Sequence, residues 1–321
     1  MKVLVAGGTG AIGRPLVRRL VTAGHQVVAT TRHPARRAAI EGGGAVAAVV
    51  DALDGQAIRD AVARAGPEAV VDVLTALPPR GPVRARDFAP TNRLRRVGSR
   101  NLLEAAVGAG VRRYVAESVA FMYPPSETPI DESAPLLDPE ILHSVIGDGF
   151  RAAATKERMV REATREGRIE GLVLRYGAFY GAFAGTIRYL VRMARRRGLF
   201  LPAGGPGIIP WIHVEDAAAA TVAAVERGRP GEIYNVVDDG EVSFGAFTTE
   251  LTGRLGLPGP RSVPPWLARP FAPYGVLLMV DARLRVSNAK AKRELAWNPA
   301  FPTHREGLAQ VAAALRASAA S

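Results

Sequence analysis

Short apolar runs alternate with alanine-rich stretches of helical length through the first half of the chain. The runs are long enough for strands and lie at residues 3–6, 26–30, 46–50, 69–74, 113–117 and 171–175. Regular alternation of strands and helices is typical of a parallel sheet covered by helices on both faces. The pattern predicts an α/β fold built on a Rossmann-type doubly wound parallel sheet.

Proline and glycine clusters divide the remainder of the chain. Two of them, at 202–210 and 257–275, flank a predicted helix from Val214 to Glu226 and a predicted strand from Glu232 to Val237. We therefore expect residues 1–175 to form the Rossmann body, with 209–239 returning to it. Residues 176–208 and 240–321 are expected to form most of a smaller C-terminal substrate lobe.

The first apolar run leads directly into a glycine triplet and then into a helical pattern. Gly7 permits a tight turn, Gly10 leaves room for a pyrophosphate, and Gly13 allows the helix to pack closely on the strand. The helix N-terminus presents free N–H groups to phosphates. The segment therefore predicts a bound dinucleotide, contacted by Gly7, Thr9, Gly10, Ala11, Ile12 and Gly13.

The end of the second strand bears on which dinucleotide is bound. An NAD site would carry an acidic residue there for the ribose 2′-hydroxyl, whereas this chain has Thr30, Thr31 and Arg32, with Arg36 a turn later. A guanidinium suits the geometry of a phosphate, which favours NADP over NAD. The alternative is a solvated arginine face.

Further cofactor contacts are expected where the later parallel strands end. Asp51 and Ala52 follow the third strand, Leu74 and Thr75 follow the fourth, and Ser118 follows the fifth. Asp51 is placed to meet the adenine amino group, although a helix-capping carboxylate is an equal alternative.

Composition excludes several classes of protein. The 321 residues include no cysteine, which excludes disulfides, thiolate metal sites and a cysteine nucleophile; no metal site is predicted. The formal charge is +12, but only four of the 42 basic residues are lysines, and the arginines are scattered without a nucleic-acid-binding motif. We expect a cytoplasmic protein with a small-molecule substrate, no nucleic acid or membrane partner, and a chain compatible with a homodimer.

Several motifs occur together in one order along the chain. After the glycine-rich opening come Asn101-Leu102-Leu103-Glu104-Ala105-Ala106, Leu174-Arg175-Tyr176-Gly177 with Tyr180-Gly181, Trp211-Ile212-His213-Val214-Glu215-Asp216, Tyr234-Asn235-Val236, and Lys290 to Pro299. Together they resemble the extended short-chain dehydrogenase/reductase family, also called the NAD-dependent epimerase/dehydratase family. The resemblance covers nearly the whole chain.

The resemblance implies a catalytic Ser or Thr after the fifth strand and a Tyr-x-x-x-Lys motif on the next helix. Ser118 takes the first position and Lys156 the position of the lysine, which also holds the nicotinamide ribose, but Ala152 stands where the tyrosine is expected. Alanine cannot exchange a proton. Tyr123 is our first candidate for a replacement acid, with His143 and Tyr176 behind it.

Two alternatives to a replacement acid remain open. The reaction needs no protein acid when hydride adds to a conjugated or cationic acceptor. Otherwise the protein is a non-redox isomerase, dehydratase, cyclase or lyase, or a non-catalytic NADP(H) sensor. We predict an NADP(H)-dependent oxidoreductase that reduces a carbonyl or conjugated double bond of a small apolar or aromatic molecule. The expected substrate-binding residues are Phe121, Tyr176, Phe179, Tyr180 and Trp211.

Overall fold

The computed structural model describes residues 1–82, 84–138 and 147–320. Seven parallel strands form its main sheet in the order β10-β6-β5-β4-β1-β2-β3. These strands are β1 (Lys2–Ala6), β2 (Gln26–Thr31), β3 (Val46–Val49), β4 (Ala69–Asp72), β5 (Arg113–Val119), β6 (Glu170–Tyr176) and β10 (Ile233–Val236). The predicted doubly wound parallel sheet is confirmed.

Two small parallel sheets accompany the main one. One pairs β7 (Ala178–Tyr180) with β9 (Trp211–His213), and the other pairs β8 (Phe200–Pro202) with β11 (Arg261–Val263). Both draw a strand from 176–208, and the second also draws one from beyond 240. They form the frame on which the smaller lobe is built.

The helices follow the alternation seen in the sequence. They are α1 (Gly13–Thr22), α2 (Arg37–Glu41), α3 (Gly55–Ala65), α4 (Ala89–Arg93), α5 (Ser99–Gly108), α6 (Gly147–Arg165), α7 (Gly185–Arg195), α8 (Val214–Arg227), α9 (Phe244–Arg254), α10 (Pro265–Ala268), α11 (Pro273–Val276), α12 (Ala289–Leu295) and α13 (His304–Ala320). A π-helical turn, Leu94–Gly98, joins α4 to α5, and another, Leu277–Asp281, follows α11.

Alternation along each strand sends side chains into two cores. Val3 and Val5 of β1 pack in a core that also contains residues of α1 and α8, whereas Leu4 and Ala6 pack in a core with residues of α3, α5 and α6. A third core lies in the smaller lobe and joins residues of α7, α9 and α13. The sheet is therefore buried on both faces, as parallel sheets require.

The segment around α12 packs on the Rossmann body. It lies within 240–321, which is expected to form most of the smaller lobe, and its Ala291, Leu295 and Trp297 are buried in the core shared by α1 and α8. These apolar side chains are buried there because they cover β10 and α8 at the end of the main sheet. The C-terminal segment thus contributes to the Rossmann body as well as to the smaller lobe.

Side chains close one edge of the main sheet. At β10, the Asn235 N–H donates to the Glu132 carboxylate (2.7 Å), and the Lys290 ammonium donates to the Ile233 carbonyl (2.9 Å). At the opposite edge, Val46 and Val49 of β3 are exposed. Side chains therefore occupy backbone groups at the β10 edge, whereas the β3 edge carries exposed apolar side chains.

Candidate functional site

The glycine-rich turn brings the N-terminus of α1 close to the end of β1. Gly7 has a φ of +98°, and a Cβ added at Gly13 would lie 2.2 Å from the Gly7 carbonyl oxygen. No side chain fits at Gly13, so helix and strand can approach only because a glycine is there. Gly10 and Ala11 are exposed on the open side of the turn, with Thr9 half-buried and Ile12 buried. The turn fits a dinucleotide pyrophosphate.

Two exposed arginines border this turn. Arg36 donates to the Thr9 hydroxyl (3.4 Å), and the Arg32 Nε–H donates to the His33 ring (3.1 Å). Among the residues that the structure describes, neither arginine has a carboxylate partner, whereas neighbouring Arg37 is paired with Glu41 at 2.8 Å. Arg32 and Arg36 can therefore pair with a ligand anion.

The other predicted cofactor residues lie at the same edge of the sheet. The exposed Asp51 carboxylate accepts from the Leu53 N–H (2.9 Å), and the Leu74 N–H donates to Asp72 (3.1 Å). Ala52 is buried, and its carbonyl accepts from Asn101, whereas Thr75 is exposed. The adenine contact assigned to Asp51 stays a prediction.

Lys156 belongs to what we call the buried ion cluster, formed by Asp72, Arg95, Glu117 and Lys156. Its ammonium lies 3.1 Å from Asp72 Oδ1 and 3.2 Å from Glu117 Oε2, and its side chain is 0% exposed. Arg95 pairs with the other oxygen of Glu117 at 2.7 Å. Two cations thus balance two carboxylates at the ends of β4 and β5. Lys156 is held by the two carboxylates in this arrangement, and its contact with the nicotinamide ribose stays a prediction.

Charges in the cluster set the protonation of their neighbours. Burial alone would raise the pKa of Glu117, but Arg95 and Lys156 outweigh burial and hold that pKa below its ordinary value. The Tyr114 hydroxyl donates to Asp72 Oδ2 (2.9 Å), and burial together with that carboxylate raises the pKa of Tyr114 well above its ordinary value. Glu117 therefore stays ionised, and Tyr114 stays neutral.

Ser118 follows Glu117 directly on β5. Its side chain is 1% exposed, and its hydroxyl oxygen has no hydrogen-bond partner among the described residues. Buried polar atoms are rarely left unpaired. The unpaired hydroxyl at a strand end is consistent with a contact to a bound molecule, and the catalytic role of Ser118 stays a prediction.

Ala152 lies on α6 between Asp148 and Lys156, four residues from each, so the three share one side of the helix. It is 0% exposed. Its neighbour Ala153 belongs to what we call the apolar recess, a buried cluster of Phe88, Met122, Phe150, Ala153 and Tyr274, with half-buried residues that include Phe121 packed against it. The residue that follows Ala152 on α6 is therefore part of an apolar cluster.

The structure does not support Tyr123 as a replacement acid. Its side chain is 0% exposed, and its hydroxyl donates to Asn235 Oδ1 (2.9 Å) while accepting from Arg175 (2.7 Å). Burial raises the pKa of Tyr123 in spite of Arg175. Arg175 is itself held by Glu157 at 2.6 Å. Tyr123 is part of a buried polar network, and its role as an acid stays a prediction that these contacts do not favour.

Three of the predicted substrate-binding residues are core residues instead. Trp211 stacks on Phe247 with ring centroids 3.8 Å apart, and the Tyr180 hydroxyl is bonded to Asp238 (2.8 Å). The Tyr176 hydroxyl shares a hydrogen bond with Thr221 (2.7 Å). All three are at most 2% exposed and pack in the core of the structure. Their contact with a substrate, and the role of Tyr176 as a replacement acid, stay predictions.

The other two predicted substrate-binding residues remain candidates for that role. Phe121 and Phe179 are half-buried, and Phe121 packs against the apolar recess. Phe179 contacts Tyr176 with ring centroids 5.3 Å apart. His143 lies outside the described residues.

Comparison with known proteins identifies the family to which the chain belongs. The family model described as "NAD dependent epimerase/dehydratase family" matches residues 3–237, which include the glycine-rich turn, the buried ion cluster and the strands of the main sheet from Val3 onward. The chain belongs to the NAD-dependent epimerase/dehydratase family. The resemblance to extended short-chain dehydrogenase/reductases is therefore confirmed.

Two curated relatives extend over nearly the whole of this family member. A Streptomyces protein named "3-diazoavenalumate denitrifying reductase" is 39% identical over 322 residues, covering 96% of this chain and 99% of the relative. A Stigmatella aurantiaca protein named "4-hydroxy-2-methyl-3-oxo-4-farnesyl-3,4-dihydroquinoline-1-oxide ketoreductase" is 26% identical and covers 96% of this chain and 95% of its own. Both names describe reductases.

Solved structures of the family share the fold. The Thermotoga maritima UDP-glucose 4-epimerase matches with a TM-score of 0.80 at 20% identity, covering 99% of this chain and 100% of the epimerase chain. MoeE5, solved with UDP-glucuronic acid and NAD, matches with a TM-score of 0.77 at 25% identity, covering 99% and 100%.

The sequence indicated the glycine-rich turn but missed the partners of Lys156. Asp72 ends β4 and Glu117 precedes Ser118, so the sequence already showed both as carboxylates near the ends of strands. Arg95 lies on the π-helical turn, which the sequence pattern does not reveal. In the described part of the chain, no helix is long and apolar enough to cross a membrane.

Proposed function

We propose that this protein is an NADP(H)-dependent reductase acting on a small aromatic electrophile that accepts hydride without a proton from the protein. The observation that carries the proposal is the surroundings of position 152. Ala152 is fully buried, its neighbour Ala153 belongs to the apolar recess, and the tyrosines suggested as replacements, Tyr123 and Tyr176, are hydrogen-bonded in the interior.

The Streptomyces relative supports one class of electrophile. Its name combines a diazo substrate with a denitrifying reduction. When bound, a reduced nicotinamide supplies hydride, so that an aryl diazonium ion becomes the arene and N₂ without taking up a proton. A missing acid is no obstacle to such a reaction, whereas it would commonly cost a carbonyl reduction about 10²- to 10⁴-fold in rate.

Residues of this chain support each part of the proposal. The glycine-rich turn would hold the pyrophosphate, and Arg32 and Arg36 would pair with a 2′-phosphate, which favours NADP. Phe121, which is half-buried and packs against the apolar recess, would contact an aromatic ring and exclude water from it. Ser118 would donate its unpaired hydroxyl to the bound molecules.

The test is the reduction of 3-diazoavenalumate and of benzenediazonium. The loss of NADPH absorbance measures the rate, and mass spectrometry identifies the product. We expect enzyme-dependent NADPH loss, and with deuterium at the transferable position of NADPH we expect one deuterium in the arene. A matched reaction without enzyme corrects for spontaneous decay. Rates equal to that control would refute the diazonium proposal, and product formed without net NADPH consumption would indicate a non-redox enzyme.

Addition of a tyrosine at position 152 separates the diazonium proposal from a carbonyl reductase. The ketoreductase named for Stigmatella makes a ketone the natural comparison. If diazonium reduction needs no acid, Ala152→Tyr should not raise its rate constant, whereas a carbonyl reductase should gain activity toward a ketone. Ala152→Ser is the matched control, because serine adds little volume and is a poor proton donor. A larger diazonium rate with any acidic residue at 152 would contradict the proposal.

A further inference from the structure

Tyr274, from α11 in the smaller lobe, reaches the Rossmann body beside the predicted reaction site. Its ring meets that of Phe88 edge to face, with centroids 5.0 Å apart and planes at 80°. Phe88 in turn lies against the first turn of α6, because a Cβ added at Gly149 would be 3.2 Å from its ring. Tyr274 is therefore joined through Phe88 to the helix that carries Ala152.

Polar atoms without partners line the same side of the helix that begins after Phe88. Phe88, Asn92 and Arg95 are four and three residues apart, so they share one side. Asn92 Nδ2 donates to Asp148 of α6 (2.7 Å), yet Asn92 Oδ1 and Arg95 Nε are buried with no partner among the described residues. Ser118 Oγ, next to the Glu117 that Arg95 binds, is unpaired as well.

The Tyr274 hydroxyl is a further polar group of this region, although it is not one of the fully buried unpaired atoms. The residue is 7% exposed, and no hydrogen bond joins its hydroxyl to another described residue. Burial raises the pKa of Tyr274, and Arg95 offsets only part of the rise. The phenol is therefore neutral near pH 7 and can act only as a weak base but as a good donor.

An apolar recess with a few unpaired polar groups is the usual composition of a small-molecule site. Here the aromatic rings of Phe88 and Tyr274 would hold a flat ring, and the hydroxyl would meet a polar substituent of it. We propose that Tyr274 is a specificity-determining residue whose hydroxyl donates a hydrogen bond to an oxygen substituent of an aromatic substrate. The class of substrate assigned to Tyr274 rests on the proposed reductase function, whereas the position of Tyr274 in the structure does not.

The kinetic test compares Tyr274→Phe with wild type on two probes, 4-carboxybenzenediazonium, whose carboxyl substituent presents oxygen acceptors, and benzenediazonium, which has no such substituent. We expect kcat/KM for the carboxyl probe to fall about two- to tenfold, mostly through KM, and that for benzenediazonium to stay unchanged. Tyr189→Phe, on the surface of α7, is the matched control and should change neither. Equal effects on both probes, or a loss in kcat of a hundredfold or more, would overturn the proposal.

A second measurement does not depend on turnover. Because the chain has no cysteine, Tyr274→Cys carries a single thiol, and Tyr114→Cys places the control thiol in the closed core of the main sheet. In folded protein we expect iodoacetamide to modify Cys at 274 at least tenfold faster than Cys at 114. Equal protection would mean that the side chain at 274 faces closed core, and would overturn the proposal even if diazonium reduction is found. Fast modification with no turnover of either probe would reject the diazonium function and retain the site.

Discussion

Removal of the ammonium from the buried ion cluster tests whether Lys156 is primarily structural. In Lys156→Met the apolar stem is kept, but Asp72 and Glu117 lose a cation that lies 3.1 and 3.2 Å from their oxygens in a fully buried environment. Loss of one partner from a buried pair costs about 3–5 kcal/mol of unfolding free energy, because the remaining charge stays desolvated. Asp72 keeps the Tyr114 hydroxyl and Glu117 keeps Arg95, so we expect the lower half of that range.

Urea unfolding followed by circular dichroism measures the effect. Lys292→Met is the matched control, because Lys292 pairs with Asp239 at 2.8 Å with both side chains about one-third exposed, and such a pair contributes about 0–1 kcal/mol. In the double variant that combines Lys156→Met and Glu117→Gln, the loss of unfolding free energy should be smaller than the sum of the losses in the two single variants, since both substitutions break the same ion pair. A loss below about 1 kcal/mol for Lys156→Met would refute the structural role argued here.

Three further predictions concern cofactor choice, pH and the glycine-rich turn. Arg36→Ala should raise the Kd for NADPH about 10- to 100-fold in a fluorescence titration and leave the Kd for NADH unchanged. The control Arg37→Ala should change neither Kd. If Arg36→Ala weakened the binding of NADPH and NADH equally, the pairing of Arg36 with the 2′-phosphate would be contradicted. Burial lowers the pKa of His213 to about 4, so the folded state resists protonation and about 3 kcal/mol of stability should be lost as the pH falls from about 6.5 to 4. His213→Asn keeps an N-capping side chain and should remove that pH dependence of the urea midpoint; an unchanged slope would show that another group is responsible. Gly13→Ala should abolish dinucleotide binding because its Cβ would lie 2.2 Å from a carbonyl oxygen, whereas Gly253→Ala, with open space around it, should bind normally.

Strand periodicity was sufficient to predict the sheet but not the position of every aromatic residue. The apolar runs were placed within two residues of β1 to β6 because a parallel sheet buries both faces and leaves a continuous apolar signal. Tyr180 and Trp211 could not be distinguished from pocket residues by sequence, since the same side chains suit a core and a binding site. Their packing depends on Phe247 and Asp238, which lie far along the chain.

Charged residues were harder still to interpret. Lys156 stood at the spacing expected of a cofactor contact, and its burial between Asp72 and Glu117 depends on the relative placement of three elements. Tyr274 has no motif around it and comes from the other lobe. Local pattern carries no information about such a contact, because it is made only when two distant segments pack together.

The closed edge at β10 has a consequence for self-association. Unpaired strand edges recruit further strands, but Glu132 and Lys290 already occupy the donor of Asn235 and the acceptor of Ile233. Extension of the sheet by a second molecule is therefore restricted to β3. Under crowded conditions, or at the concentrations used for crystallisation, intermolecular strand pairing would proceed from that one side, producing closed pairs rather than open-ended fibres.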